Sequence, residues 1–266
     1  MQRKSLQFGL FEVGLITVTV TAIALSLHRP LPPVSAEVTW LAQTYGPHRQ
    51  SQYYEEWIVR DFFRDRRGGV FVDIGASDAK RLSNTWYLEQ GLGWSGVAVD
   101  AQVEYAAGYA TARPRTRFRT FFVAERSSER AKLFLNDTPI VASSAPTFTS
   151  RWGAVRDVRE VPTIALDDLL DAERVAAIDF LSIDIELAEP QALAGFTIGR
   201  FKPRLVCIEA HPEVRQRILD YFAANAYVVV AKYLRVDQDN LWFMPAGTTV
   251  DPFPAEALGA GGDRHE

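Results

Sequence analysis

The nine residues VFVDIGASD, from Val70 to Asp78, decide the fold of this chain, because they predict a buried parallel strand that runs into a tight turn. Mostly apolar residues lead to an acid, Asp73, and a glycine and small polar residues follow. Ligands of open α/β sheets bind at the carboxyl ends of the strands. We therefore expect Asp73 and Gly75 at the mouth of a binding crevice.

The pattern on either side of this stretch alternates between helices and strands. Such alternation predicts an α/β fold with a mostly parallel sheet and helices on both faces. The stretch 138–159 has little periodicity and predicts a long lid or substrate loop. The predicted strands are 70–73, 96–99, 117–123, 179–183, 205–209, 227–231 and 240–244, and the predicted helices are 52–64, 84–90, 104–112 and 212–225.

Length and composition limit the classes of protein to consider. A chain of 266 residues accommodates one catalytic domain with extensions. Its net charge of −4 predicts no nucleic-acid partner. The single cysteine, Cys207, lies in an apolar run, which excludes a disulfide framework and a cysteine-rich metal site and predicts a core position.

The amino terminus carries an apolar run, residues 10–27, after Arg3 and Lys4. At ~1.5 Å per residue it would span about 27 Å as a helix, near the minimum for a bilayer core. We expect a single membrane anchor. A cleaved signal peptide, with 34–36 as its cleavage site, and a buried helix of the domain are the alternatives. The predicted organisation is an anchor or signal segment over 1–28, a linker over 29–50, a catalytic domain over 51–245 and a flexible tail over 246–266.

The turn after the first strand indicates what kind of ligand binds. Only the first position of Gly75 to Lys80 is a glycine, which disfavours the glycine-rich turn of nicotinamide-binding folds. Asp100 ends the second predicted strand, where an acid commonly accepts hydrogen bonds from ribose hydroxyls. The pattern proposes a nucleoside ligand, with strand capping by Asp100 as the alternative.

Six motifs together resemble the FkbM-type S-adenosylmethionine-dependent methyltransferases. The resemblance covers roughly residues 50–245, and the order of the motifs makes it specific. It implies a class I methyltransferase (Rossmann-like) fold of seven strands, the last antiparallel, and S-adenosylmethionine as cofactor. The motifs are FVDIGA (71–76), SNTWYLE (83–89), GWSG (93–96), VPTIALDDLL (161–170), IDFLSIDIE (178–186) and LVCIE (205–209).

The resemblance also implies roles for individual residues. Asp73, Gly75 and Ala76, with Ser77 in the same turn, would bind the methionine end of the cofactor, and Asp100 would hold its ribose. Ser83 and Asn84 match a motif near the same crevice, although a helix cap would explain them equally. The chain departs from the family pattern at Ala79 and Leu187, where glycine is usual, and Leu187 would place a bulky side chain near the reacting centre.

Methyl transfer to a hydroxyl requires removal of a proton, by a general base or by a metal that lowers its pKa. Asp184 and Glu186 follow the fourth predicted strand, and Glu209 and His211 end the fifth. We predict Asp184, His211 and Glu186 as catalytic residues, and Asp184 with Glu209 as ligands of a possible Mg²⁺ ion. The alternatives are acids that bind backbone amides and a histidine that lies on the surface.

The sequence therefore predicts a membrane-anchored O-methyltransferase that acts on a hydroxyl of a sugar, polysaccharide or secondary metabolite. A membrane-tethered nucleoside-binding module without turnover is the alternative, which Leu187 makes conceivable. The cofactor favours a cytoplasmic domain, although the flanking charges weakly favour the other side of the membrane, and a cleaved signal would mean export. The arginines at 113, 115, 117 and 119 alternate and predict either a basic edge for an anionic partner or a solvated strand end. The oligomeric state stays open.

Overall fold

The computed structural model describes residues 35–258, which hold ten strands and ten α-helices. The strands are β1 Val70–Ile74, β2 Ser95–Asp100, β3 Thr116–Thr120, β4 Phe122–Ala124, β5 Arg130–Leu135, β6 Asp157–Ala165, β7 Phe180–Ile183, β8 Leu205–Glu209, β9 Tyr227–Val229 and β10 Asn240–Pro245. The helices are α1 Ala36–Tyr45, α2 Glu55–Phe63, α3 Trp86–Gln90, α4 Ala106–Ala112, α5 Pro146–Thr149, α6 Leu166–Ala172, α7 Glu189–Ala194, α8 Ile198–Phe201, α9 Arg215–Ala224 and α10 Ala255–Leu258.

Seven strands form the main sheet, in the order β3-β2-β1-β7-β8-β10-β9. The first five are parallel, and β10 pairs antiparallel with both of its neighbours. These pairings confirm the predicted α/β fold with a mostly parallel sheet whose last strand is antiparallel. The strand order reverses between β1 and β7, and ligands of such sheets bind at that point, beyond the carboxyl ends of the strands.

A hydrophobic core covers each face of the main sheet, because successive side chains of a strand point to opposite faces. Val72 lies in one core, which helices α6, α7 and α9 cover with residues such as Leu170 and Phe222. Phe71 lies in the other core, beneath α2 and α3, with Trp57 and other aromatic side chains. The prediction of helices on both faces is confirmed.

A second sheet, in the order β4-β6-β5, was not predicted. The predicted strand 117–123 is in fact two strands, β3 in the main sheet and β4 in the second. The prediction of a loop over 138–159 fails at its end, where β6 begins. Strand β5 pairs only with β6 within the described range, so its charged residues Arg130 and Lys132 are exposed and obscure the apolar pattern.

The domain extends beyond both of its predicted boundaries. Helix α1 lies inside the predicted linker and begins at Ser35, whose Oγ accepts the amide N–H of Val38. Its buried side chain Leu41 belongs to the core beneath α2, as does Phe253 of the predicted tail. The predictions of an irregular linker over 36–45 and of a flexible tail as far as 258 are therefore wrong, because apolar side chains in both segments are buried.

The predicted anchor or signal segment, residues 1–28, lies outside the described residues, as do tail residues 259–266. Among the helices of residues 35–258, none combines the length and the apolar character that a bilayer crossing requires. The anchor, the cleaved signal and the cytoplasmic placement stay predictions.

Candidate active site

The turn after β1 lies where β1, β2 and β7 approach one another. Gly75 has a φ of +83°, and a Cβ atom there would lie 1.7 Å from the carbonyl oxygen of Asp184. The amide groups of Gly75 and Ala76 both donate to the carbonyl oxygen of Val99, at 2.9 and 3.0 Å. Glycine is required here because its backbone accepts a positive φ and leaves room for the neighbouring strand.

Asp100, at the end of β2, fixes the next part of the site. Its carboxylate accepts the amide N–H groups of Ser77, at 3.0 Å, and Gln102, at 2.8 Å. Burial raises the pKa of Asp100 to about 6. This carboxylate therefore lies at one side of a cavity of about 530 Å³ whose other walls include the apolar residues Phe121 and Leu133. An apolar slot beside a carboxylate suits a nucleoside, with the base in the slot and the ribose at the acid.

Four predicted cofactor residues belong to a buried polar network behind this cavity rather than to its lining. Asp73 accepts a hydrogen bond from the hydroxyl of Thr85 at 2.8 Å, and burial raises its pKa. Ser83 Oγ accepts the amide of Thr85, and Asn84 donates to Ser182 Oγ. The fourth, Ala76, is buried and accepts the hydroxyl of Tyr109 through its carbonyl. These residues hold the turn in place from behind.

Arg113 is the centre of that network and is fully buried. Its Nε lies 2.5 Å from Glu89 Oε2, and its remaining N–H groups donate to Ala79 O, Ser83 Oγ and both oxygens of Thr85. One guanidinium thus connects α3, the segment before it and the chain that enters β3. Arg117 and Arg119 are partly exposed and both pair with Glu173, so the predicted basic stripe does not form one surface.

The predicted catalytic residues meet at the carboxyl ends of β7 and β8. His211 Nε2 lies 3.4 Å from Glu186 Oε2 and 3.1 Å from Glu209 Oε2. The contacts with Glu186 and Glu209 raise the pKa of His211 to about 10. Burial, followed by the charge of Glu209, raises the pKa of Asp184 well above its usual range. The structure therefore brings together all four residues that the sequence singled out here.

The backbone that carries Glu186 is in the left-handed region, which non-glycine residues seldom adopt. Glu186 has a φ of +53° and Leu187 a φ of +77°. The side chain of Leu187 packs against the core between the sheet and α7, so it is the backbone of Leu187, rather than its bulk, that shapes the site. Ser143, in the predicted substrate loop, donates its hydroxyl to the carbonyl oxygen of Glu186 at 2.5 Å and ties the loop to this turn.

A second cavity, of about 1290 Å³, opens beside the first. Asp184, Glu186, Glu209 and His211 line one side of it. The loop 138–159 supplies Thr138, Ile140, Val141, Phe148 and Trp152, in agreement with its predicted role next to a substrate. The two cavities share a wall, formed by Gly75, Ser77, Ile140, Asp184 and Glu186.

The sequence analysis missed an acid on the far side of the second cavity. Glu55, at the start of α2, is 3% exposed, and burial raises its pKa to about 7. Its carboxylate accepts the amide N–H of Tyr53 and the side chain of Asn240. The local pattern gave no signal for this residue, because an acid in the first turn of a helix is ordinary.

The comparisons with known proteins agree with this geometry. A family model described as the methyltransferase FkbM domain matches residues 73–229, more than half of the chain. No curated protein sequence matches. Three solved structures illustrate the similarity of fold, and the values in parentheses are the sequence identity, the coverage of this chain and of the other, and the TM-score. They are a TehB-like SAM-dependent methyltransferase from Corynebacterium glutamicum (12%, 77% and 92%, 0.42), an O-methyltransferase from Bacillus cereus in complex with SAH (13%, 85% and 96%, 0.39) and a methyltransferase from Geobacter sulfurreducens (13%, 85% and 96%, 0.36).

Proposed function

The chain belongs to the FkbM methyltransferase family, and from this membership we propose that it transfers the methyl group of S-adenosylmethionine to a hydroxyl group of an acceptor. The observation that carries the proposal is the wall shared by the two cavities. A donor in the first cavity and an acceptor in the second would meet at Gly75, Asp184 and Glu186. Positioning of this kind supplies most of the catalysis of a transfer that needs no covalent intermediate.

The residues of the first cavity fit the cofactor. When bound, S-adenosylmethionine supplies a methyl group on a positively charged sulfur. Asp100 is placed to accept hydrogen bonds from the ribose hydroxyls, next to the apolar slot for the base. Gly75, which leaves no room for a Cβ atom, lets the ligand approach the backbone of the turn.

The second cavity would hold the acceptor hydroxyl and remove its proton. Asp184 and Glu186 face both cavities, and His211 contacts Glu186 from the acceptor side. We assign these three side chains to orient the hydroxyl and to take up its proton as the methyl group arrives. Since their oxygens and nitrogen lie together at one wall, the proton has acceptors within hydrogen-bond reach.

The rim of the second cavity favours a sugar or a secondary metabolite as the acceptor. Tyr53 is 42% exposed and Trp152 is 60% exposed, and both line the cavity. Such rings offer an apolar face for a sugar or polycyclic ring, while the carboxylates below can accept hydrogen bonds from its hydroxyls.

The proposal is tested with the full chain in two steps. Calorimetry measures the affinity for S-adenosylmethionine, and mass spectrometry then follows methylation across a panel of sugars and hydroxylated metabolites, with release of S-adenosylhomocysteine. Asp100→Ala should weaken cofactor binding at least ~10-fold, about 1.4 kcal/mol, because it removes the ribose acceptor.

Glu104→Gln is the matched control for the cofactor step, because Glu104 lies near Asp100 but is exposed. This variant should keep its affinity within about twofold. Cofactor binding without transfer to any acceptor would contradict the proposed reaction and favour a binding module. Failure to bind the cofactor would contradict both.

A further inference from the structure

We infer that Glu186, Glu209 and His211 form a binding site for a divalent transition-metal ion. One ligand atom from each residue lies within 4.8 Å of the others. Glu186 follows β7, and Glu209 and His211 end β8, so two adjacent strands of the rigid sheet position all three. Two carboxylates and an imidazole are a donor set that suits Mn²⁺, Fe²⁺, Co²⁺ or Zn²⁺, whereas Mg²⁺ prefers oxygen ligands alone.

An independent observation beside the cluster also indicates a missing cation. Glu189, in the first turn of α7, is fully buried, and its Oε1 accepts the amide N–H of Ile185 at 3.1 Å. Its Oε2 has no hydrogen-bond partner among residues 35–258. Glu209 and Glu186 act on this carboxyl group electrostatically, so it lies within reach of the cluster. A buried carboxyl oxygen without a partner is costly unless positive charge lies nearby.

Glu209 shows the same deficit directly within the proposed site. Its Oε2 is buried and has no hydrogen-bond partner in the described part of the chain, although His211 Nε2 is 3.1 Å away. The contact is close enough for two ligands of one ion but does not have hydrogen-bond geometry. Four carboxyl groups, those of Asp184, Glu186, Glu189 and Glu209, surround one histidine, which can contribute at most one positive charge. A divalent ion would compensate this excess.

The metal would lie on the acceptor side of the shared wall, because all three ligands line the second cavity. Three protein ligands leave coordination positions open, as catalytic metal sites require. An acceptor hydroxyl that binds there would lose its proton more readily. The inference thus deepens the proposed function, on which its catalytic meaning rests, and it changes the predicted ligand pair Asp184 and Glu209 to a three-residue set.

The test uses metal-stripped full-length protein and Mn²⁺ alone, with no methyl donor. Titration followed by electron paramagnetic resonance of free Mn²⁺, and by calorimetry with Zn²⁺, should show one ion per chain. Mg²⁺ should bind at least ~10-fold more weakly than Mn²⁺. Glu209→Gln and His211→Ala should each weaken Mn²⁺ binding at least ~10-fold.

Glu213→Gln is the control, since Glu213 is an exposed acid two residues after His211 that pairs with Arg151. This variant should bind Mn²⁺ as the natural chain does. Absence of binding by either ion at ~1 mM, which corresponds to a binding free energy weaker than about −4 kcal/mol, would overturn the inference and leave His211 as the cluster's cation. Equal binding by the natural chain and both ligand variants would overturn it as well.

Because this titration contains no cofactor, its failure is distinguishable from failure of the proposed function. Loss of metal binding with intact binding of S-adenosylmethionine would refute only the metal site. Loss of cofactor binding with intact metal binding would refute only the transfer.

Discussion

Leu187 allows a direct test of the backbone conformation at the active site. Its φ of +77° favours glycine, yet its side chain is half-buried against the core. Leu187→Ala and Leu187→Gly both remove that side chain, at a common cost of about 1–2 kcal/mol. The left-handed backbone costs a non-glycine residue about 1–2 kcal/mol more, and the greater freedom of glycine in the unfolded chain offsets about 0.5–1 kcal/mol of this. The glycine variant should therefore be more stable than the alanine variant by about 1 kcal/mol.

Urea denaturation measures this difference, and thermal unfolding should show it as a Tm that is about 2–4 °C higher for Leu187→Gly than for Leu187→Ala. Ala188 is the control, because it is buried with a φ of −92°, in the ordinary region. Ala188→Gly should destabilise the protein by about 0.5–1 kcal/mol, so the sign of the alanine-to-glycine change reverses between neighbouring positions. If Leu187→Ala is as stable as Leu187→Gly, the left-handed backbone is not a source of strain and the reasoning is wrong.

Three further predictions concern the cofactor side of the site. Gly75→Ala should weaken binding of S-adenosylmethionine at least ~10-fold and lower the free energy of unfolding by about 2 kcal/mol or more, because its Cβ atom would lie 1.7 Å from a carbonyl oxygen; calorimetry and urea denaturation measure both. Since Asp100 has a pKa of about 6 and its ionised form accepts the ribose hydroxyls, cofactor affinity should be about tenfold lower at pH 5 than at pH 7, and Asp100→Asn should abolish this dependence. Arg113→Ala should destabilise the protein by about 3–5 kcal/mol in urea denaturation by leaving Glu89 buried without a partner, whereas Arg117→Ala, at a partly exposed ion pair, should cost less than about 1 kcal/mol; equal losses would contradict the difference in burial.

The sequence was sufficient to predict the parallel core of the main sheet. Strands β1, β7 and β8 are short, apolar and followed by acids, so their type and the edge where their polar residues meet follow from local pattern. The cluster of Asp184, Glu186, Glu209 and His211 was predicted for the same reason, because residues that end adjacent parallel strands lie together.

Features that depend on tertiary contacts could not be predicted in this way. Helix α1 follows a proline-rich segment that resembles a linker, and only the distant core makes it part of the domain. Strand β5 has lysine and arginine at alternate positions, so its partner β6 determines its structure. Glu55 enters the second cavity through the packing of α2 against the sheet, which no local motif records.

The contact between α1 and the end of the domain has a consequence for synthesis of the chain. The ring of Trp40 packs edge-on against Phe253, with centroids 5.5 Å apart. A ribosome that adds about 5–20 residues per second needs on the order of 10–40 s to cover the distance between these two positions. During that interval the apolar side of the nascent α1 has no permanent cover, so it is a natural binding site for a chaperone until the last residues of the domain emerge.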